Sequence, residues 1–234
     1  MLHMNFTYAY LITSLLLLLV WVLLYWIKPQ ARKKMLFVSF LTAPLGLTEP
    51  FFVPSYWLPF TLFDLAKQTR FDLESLLFSF AVGGIAAVLY EALLRTGRSK
   101  INLHEQHQKR HRFHRLALFS PFISFAILYL FMPLNPIYSA SIAMTVGAIA
   151  SWFCRPDLLK PMVVGAMSFF ILYFVVFLIG FIWLFPGYVQ AVWNLGAISG
   201  ILIAGIPIEE LLFALSLGAM WSSIYEHFTW YKFS

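Results

Sequence analysis

The chain has 234 residues, of which 61% are hydrophobic, 19% aromatic and only 11% charged, with a mean hydropathy of +0.81. That leaves too little polar surface to wrap a water-soluble core and marks an integral membrane protein. The net charge of +6 does not signal nucleic acid, because the basic residues sit in short gaps between apolar runs, and the single Cys154 excludes an internal disulfide framework and a cysteine-rich zinc or iron–sulfur centre.

About 20 apolar residues cross roughly 30 Å of hydrocarbon, and seven runs meet or approach that length: 7–27, 35–53, 73–95, 116–133, 136–154, 162–185 and 206–228. The first is expected to remain as a spanning helix, since Leu11 to Leu24 lacks a basic leader and no small-residue cleavage site follows. The second carries Pro44, Glu49 and Pro50, and Pro54-Ser55-Tyr56-Trp57-Leu58-Pro59 after it supplies an outer aromatic belt. A basic gap separates the third run from the fourth, whereas only Pro133-Leu134-Asn135-Pro136 parts the fourth from the fifth. Beyond the sixth, Trp183, Phe185, Tyr188 and Trp193 form a comparable belt. Gly196, Gly200 and Gly205 then permit either close helix approach or an unwound lead-in to the seventh.

Seven crossings put the termini on opposite sides. With the amino terminus outside and the carboxyl terminus inside, all of the 16 lysines and arginines except Lys67 and Arg70 fall on the cytoplasmic face. The expected product is a multi-pass protein of the plasma membrane.

The seventh run opens with Ile206-Pro207-Ile208-Glu209-Glu210-Leu211-Leu212-Phe213, and the third repeats it as Asp72-Leu73-Glu74-Ser75-Leu76-Leu77-Phe78. A shift of 135 superposes Glu74 on Glu209, Gly83 on Gly218 and Tyr90-Glu91 on Tyr225-Glu226, seven identities in 20 ungapped positions. Self-similarity at this period predicts an all-α polytopic fold of two parallel three-helix repeats, residues 1–96 and 136–234, joined by a basic loop and linking helix over 97–135.

Aspartate near mid-membrane costs roughly 2.5–3.5 kcal/mol on insertion scales, so the acids within the apolar runs need partners or roles. Glu91 and Glu226 fall near the cytoplasmic interface and read as helix-end partners, Glu91 for Arg95 one turn on. Glu74, Glu209 and Glu210 open helices, where a plain cap is the simple reading. Two adjacent glutamates exceed one cap's need, however, and a third is expected to approach them from the repeated helix. Like charges crowded in a low dielectric cannot all ionise, so one is expected to stay a protonated acid. Glu49, beside Pro50, is a further candidate. Phe78 and Phe213 each lie four residues after an acid, on its helical face, and an aromatic face stabilises a cation. Acid and aromatics together are what a protonation-initiated carbocation reaction on an alkene requires. His104, His107, His111 and His114 read as a solvated basic linker near anionic headgroups, and neither a metal nor a cofactor is expected.

The Pro207-Ile208-Glu209-Glu210 run, its degenerate copy, and Leu45-Gly46-Leu47-Thr48-Glu49-Pro50 followed by Tyr56-Trp57 resemble the lycopene cyclase domain family, the small membrane type found as two-subunit or fused lycopene β-cyclases. The resemblance covers nearly the whole chain and implies an intramolecular lyase-type isomerase of carotenoid biosynthesis, with no net redox change. It closes the linear ends of lycopene to β-ionone rings. A hydrophobic polyene would be the substrate, with membrane lipid the other partner. By carry-over, Glu209 and Glu210 would be the acid/base pair of the second half and Glu74 its counterpart in the first. Asp72 replaces the motif's proline and Ser75 its second acid. The first half is therefore weakened, or lends Asp72 instead, or marks a subgroup with another isoprenoid substrate. A non-catalytic carotenoid- or lipid-binding protein, or partner subunit, is the alternative. An intramembrane glutamic protease lacks its Phe-xxx-His partner, and a retinal protein lacks a helix-seven lysine. Oligomeric state is left open.

Overall fold

The computed structural model describes residues 6–94 and 96–233. Eleven α-helices follow one another in this part of the chain: α1 Ala9–Ile27, α2 Arg32–Thr42, α3 Leu65–Thr69, α4 Leu73–Leu94, α5 Leu103–Gln106, α6 His114–Phe131, α7 Pro136–Cys154, α8 Leu159–Phe177, α9 Tyr188–Val192, α10 Ile208–Trp221 and α11 Ile224–Thr229. Four short strands form two antiparallel pairs, the distant β1 Arg98–Lys100 with β4 Tyr231–Phe233 and the hairpin β2 Leu202–Ile203 with β3 Ile206–Pro207.

Five helical stretches among the described residues are long and apolar enough to cross a membrane: Phe6–Ile27, Leu73–Leu94, Lys109–Phe131, Pro136–Cys154 and Pro156–Trp183. The expected second and seventh crossings are not continuous α-helices of that length. In the second, Pro44 follows α2 at once and Pro50 comes six residues later, so the chain tightens into a 3₁₀ segment over Ala43–Phe51. In the seventh, α10 ends at Trp221 and a short break precedes α11. The glycine-rich lead-in takes the unwound form. Ala204 and Gly205 both have positive φ, 50° and 88°, in the two-residue turn joining β2 to β3, the backbone that matches the twist of a tight hairpin.

The packing partners of the helices follow from small residues. α4 lies against α1 and α2, and α10 against α7 and α8. In α4, a side chain at Gly83 would collide with Thr42 of α2 and one at Gly84 with Ser39 and Trp21, whose indole donates to Ser39 Oγ at 2.8 Å. In α10, a Cβ at Gly218 would stand 2.9 Å from the Ala166 Cα of α8. The glycines that the 135-residue shift superposes thus each admit a neighbouring helix. α4 also touches α8 and α10, and α6 packs chiefly on α7.

At one end of the bundle Lys34 is wholly buried, its Nζ 2.8 Å from Glu226 Oε1 and 3.5 Å from Glu91 Oε2. Arg98 adds contacts of 3.6 Å to Glu91 and 3.9 Å to Glu226. Glu91 and Glu226 are therefore helix-end partners of a shared cation, while the partner named for Glu91 from sequence, Arg95, lies outside the described residues. At the other end the loops of the two halves pair through backbone: Leu58 N donates to Val192 O at 2.9 Å, Asn194 N to Tyr56 O at 2.9 Å, and Trp57 bridges Trp193.

Close packing at Gly46 yields a stability prediction. A Cβ there would stand 2.6 Å from the Ser75 carbonyl oxygen of α4, which is backbone and cannot rotate away. Gly46→Ala should destabilise by about 1–3 kcal/mol, read as a lowered unfolding temperature in detergent, while Gly196→Ala, which meets nothing nearer than 4.0 Å, should match the parent.

Candidate active site

A cavity of about 260 Å³ lies between the two halves, beneath the paired loops. Its walls are mainly aromatic and aliphatic. Tyr10 and Phe78 come from the first half, Tyr173, Phe177, Trp193 and Phe213 from the second, and Phe122 and Phe125 from α6. Two carboxylates stand in this lining, Glu49 and Glu210.

Glu210 is placed by the start of α10, which β3 and Pro207 direct into the bundle. Its Oε1 accepts from Tyr56 Oη at 2.7 Å and from Trp193 Nε1 at 3.1 Å, and its Oε2 accepts from Tyr173 Oη at 2.6 Å. One donor belongs to the first half and two to the second. Taking a carboxyl group out of water is expensive unless such partners replace the lost hydration. Glu49 sits in the 3₁₀ segment and accepts from Trp57 Nε1 at 2.6 Å, with the Ser75 hydroxyl also close to its carboxyl group. Trp57 itself packs 4.8 Å from Tyr10 and 5.2 Å from Trp193, centroid to centroid. The ring contacts continue from Phe78 to Tyr173 and on to Phe177, the last pair stacked at 4.0 Å.

The other acids named from sequence are buried but stand outside this lining. Glu74 Oε1 accepts from the Leu62 backbone N–H at 2.8 Å, and Glu209 Oε1 accepts from the Ser199 N–H at 2.9 Å and from Tyr138 Oη at 2.7 Å. The superposed pair Glu74 and Glu209 therefore do the same thing, each fastening the loop that precedes its helix. Asp72 is the cap of α4, its Oδ1 accepting from Ser75 N at 2.5 Å. The expected meeting of Glu74 with the Glu209-Glu210 pair inside one pocket is replaced by a meeting of Glu49 with Glu210. The position matching Glu210 in the first half is Ser75, which lines the cavity and bonds Tyr10 Oη at 3.0 Å. Phe78 and Phe213 both face the cavity, although the acids four residues before them do not.

The donors to Glu210 were not foreseen as such. Tyr56 and Trp193 read as outer-belt aromatics, and Tyr173 lies within the sixth apolar run with nothing to set it apart. The available cue was chemical, since a buried tyrosine hydroxyl or indole N–H needs an acceptor and this chain has few.

Comparison with known proteins adds one finding. The sequence model of the lycopene cyclase family matches residues 135–228, which run from the start of α7 into α11 and include Tyr173, Trp193, Glu209 and Glu210. No curated protein and no solved structure matches the chain.

The three-donor cradle is testable. Tyr173→Phe removes the hydrogen bond to Glu210 Oε2, and leaving a buried polar atom without its partner costs about 1–3 kcal/mol. The variant should unfold at a lower temperature than the parent in the same detergent, whereas Tyr8→Phe, at an exposed position, should not.

Proposed function

We propose, from the match of residues 135–228 to the lycopene cyclase family, that the protein is a membrane isomerase that closes the ends of a linear carotenoid by acid-initiated carbocation cyclisation. The observation that carries this reading is a pair of carboxylates, Glu49 and Glu210, in the wall of an otherwise aromatic and aliphatic cavity.

The two acids have unequal surroundings, and that inequality suggests their roles. Glu210 accepts three hydrogen bonds, which replace part of the hydration that burial removes from its carboxylate. Glu49 has the Trp57 indole at Oε1 and the Ser75 hydroxyl close by, fewer donors than Glu210, so we assign it the transferable proton. In the proposed cycle Glu49 protonates a terminal double bond of the polyene. The resulting cation is attacked by the neighbouring alkene, which closes the ring and moves the positive charge onto a ring carbon. Glu210 then takes a proton from the carbon beside that charge, and a new double bond forms. One proton enters and one leaves, so the product is an isomer and no electrons are exchanged. Regeneration requires a proton to pass from Glu210 back to Glu49.

Aromatic faces suit the interval in which the substrate is charged. Phe78, Tyr173, Phe177 and Phe213 line the space, and cation–π attraction is worth about 2 kcal/mol or more once desolvated. Excluding water matters equally, because water would trap the cation as an alcohol. A volume of about 260 Å³ is small beside ordinary ligand pockets of roughly 300–1,000 Å³. It suits one folded end of a polyene, with the remainder lying among lipid chains.

Expression in a lycopene-accumulating bacterium with chromatography of the pigments tests the reading. The parent chain should yield ring-containing carotenoids, and Glu49→Gln and Glu210→Gln should each lower ring formation by about 100-fold or more, the usual range for an acid–base group. Glu209→Gln, which perturbs only the loop fastening, should retain far more activity than Glu210→Gln. Unchanged lycopene in the parent, at normal expression and with several acyclic carotenoids offered, would count against the cyclase reading and favour a binding protein. Full activity in Glu210→Gln would remove the assignment of the site.

A further inference from the structure

At the end of the bundle away from the cavity loops, three metal-binding side chains from different segments converge. His111 closes a 3₁₀ turn over Lys109–His111, His114 opens α6 and Cys154 ends α7. His111 Nδ1 is 3.4 Å from Cys154 Sγ, and His114 Nδ1 is 3.5 Å from the same sulfur. One donor atom from each of the three lies within 4.8 Å of those of the other two. Zn–N and Zn–S bonds of about 2.0 and 2.3 Å at tetrahedral angles place nitrogen and sulfur roughly 3.5 Å apart. The two measured edges have that length.

The surroundings supply what a site needs. His111 and Cys154 are buried, and Trp230 stacks on His114 at 4.0 Å. His227, wholly buried, sets its ring edge against His114 at 4.4 Å. Its Nδ1 is engaged by Ser151 Oγ at 3.2 Å, but its Nε2 has no partner among the described residues, an arrangement that ordinarily costs free energy. Two cations stand nearby. Arg155 is neutralised by Asp157, at 2.8 and 2.6 Å. Arg110 donates from Nε to His111 Nε2 at 3.2 Å. A metal on Nδ1 would leave the proton on Nε2, so Arg110 must release that nitrogen, and it already reaches Glu105 at 3.4 Å.

We propose that His111, His114 and Cys154 form a metal site for a thiophilic d10 cation, Zn²⁺ or Cu⁺. A thiolate with two imidazoles is a donor set both ions accept, and His227 packs against the His114 ring. The site corrects the sequence reading of a uniformly solvated histidine linker. His104 and His107 are exposed, but His111 is not. The four do not share a helix, because α5 ends before His107 and α6 begins only at His114. A metal here would tie the start of α6 to the end of α7, and so hold in place the helix that brings Phe122 and Phe125 to the cavity. The proposal does not depend on the cyclisation chemistry.

The full chain, purified in detergent through a tag without histidines, is treated in separate arms with Zn²⁺ and with Cu⁺ under reducing conditions, desalted, and analysed for metal by mass spectrometry. A third arm uses Co²⁺ and reads the absorption spectrum. The expected result is roughly one retained ion per chain, with a thiolate-to-cobalt charge-transfer band and the intense visible bands of tetrahedral coordination. Cys154→Ser should lose the charge-transfer band and bind at least about tenfold more weakly, while His104→Ala in the same linker should bind like the parent. The proposal is overturned if the parent retains neither zinc nor copper and gives no charge-transfer band, or if Cys154→Ser reproduces the parent spectrum. Should Cys154→Ser fail to fold by size exclusion, the parent cobalt spectrum alone decides.

Discussion

The structure turns on one buried carboxylate and the three donors that surround it. Tyr56, Tyr173 and Trp193 converge on Glu210 from the first half's loop, from the last turns of α8 and from the segment after α9. None of these elements can shift without uncovering an acid in an apolar interior, where an unpaired charge is costly. The backbone pairing of Tyr56 with Asn194 and of Leu58 with Val192 follows from the same requirement. The loops that close the cavity are the loops that carry the donors, so shaping the chamber and satisfying its acid are one structural task.

Glu49 and Glu210 reach the chamber by different routes. Glu210 comes in on the first turn of an α-helix, Glu49 on a 3₁₀ segment that Pro44 and Pro50 impose. An ordinary helix through residue 49 would set different side chains against the cavity, because a 3₁₀ turn has three residues where an α-turn has 3.6. The two expected crossings that are not continuous spanning helices, the second and the seventh, are the ones that deliver the two acids.

Much of this was legible in advance. The apolar runs located all the long helices, and the glycines superposed by the 135-residue shift do admit neighbouring helices. The break at Pro44 was foreshadowed by the proline itself, but hydropathy is blind to whether the chain beyond it stays α-helical. The acids were recognisable as a group, yet their individual placement was not. Glu209 and Glu210 are adjacent on a helix and so point about 100° apart; one meets the cavity and the other meets the Ser199 loop. The repeat was informative in an unexpected sense. It aligned Glu74 with Glu209, which share the work of fastening a loop, while the acid of the cavity aligned with Ser75. Tyr138 and Tyr173 were hidden because a hydroxyl on an aromatic ring hardly alters the hydropathy of the run that contains it.

The buried Lys34 bears on how such a chain is made. Within the first half Lys34 already finds Glu91, so the chain up to the end of α4 holds an acid for its buried ammonium. Glu226 arrives last, its carboxylate directed at the same ammonium and at Arg98, both synthesised long before it. The two acids are thus unequal: Glu91 has a cation within its own half, whereas Glu226 can bury the final helix end only against cations supplied from far earlier in the chain.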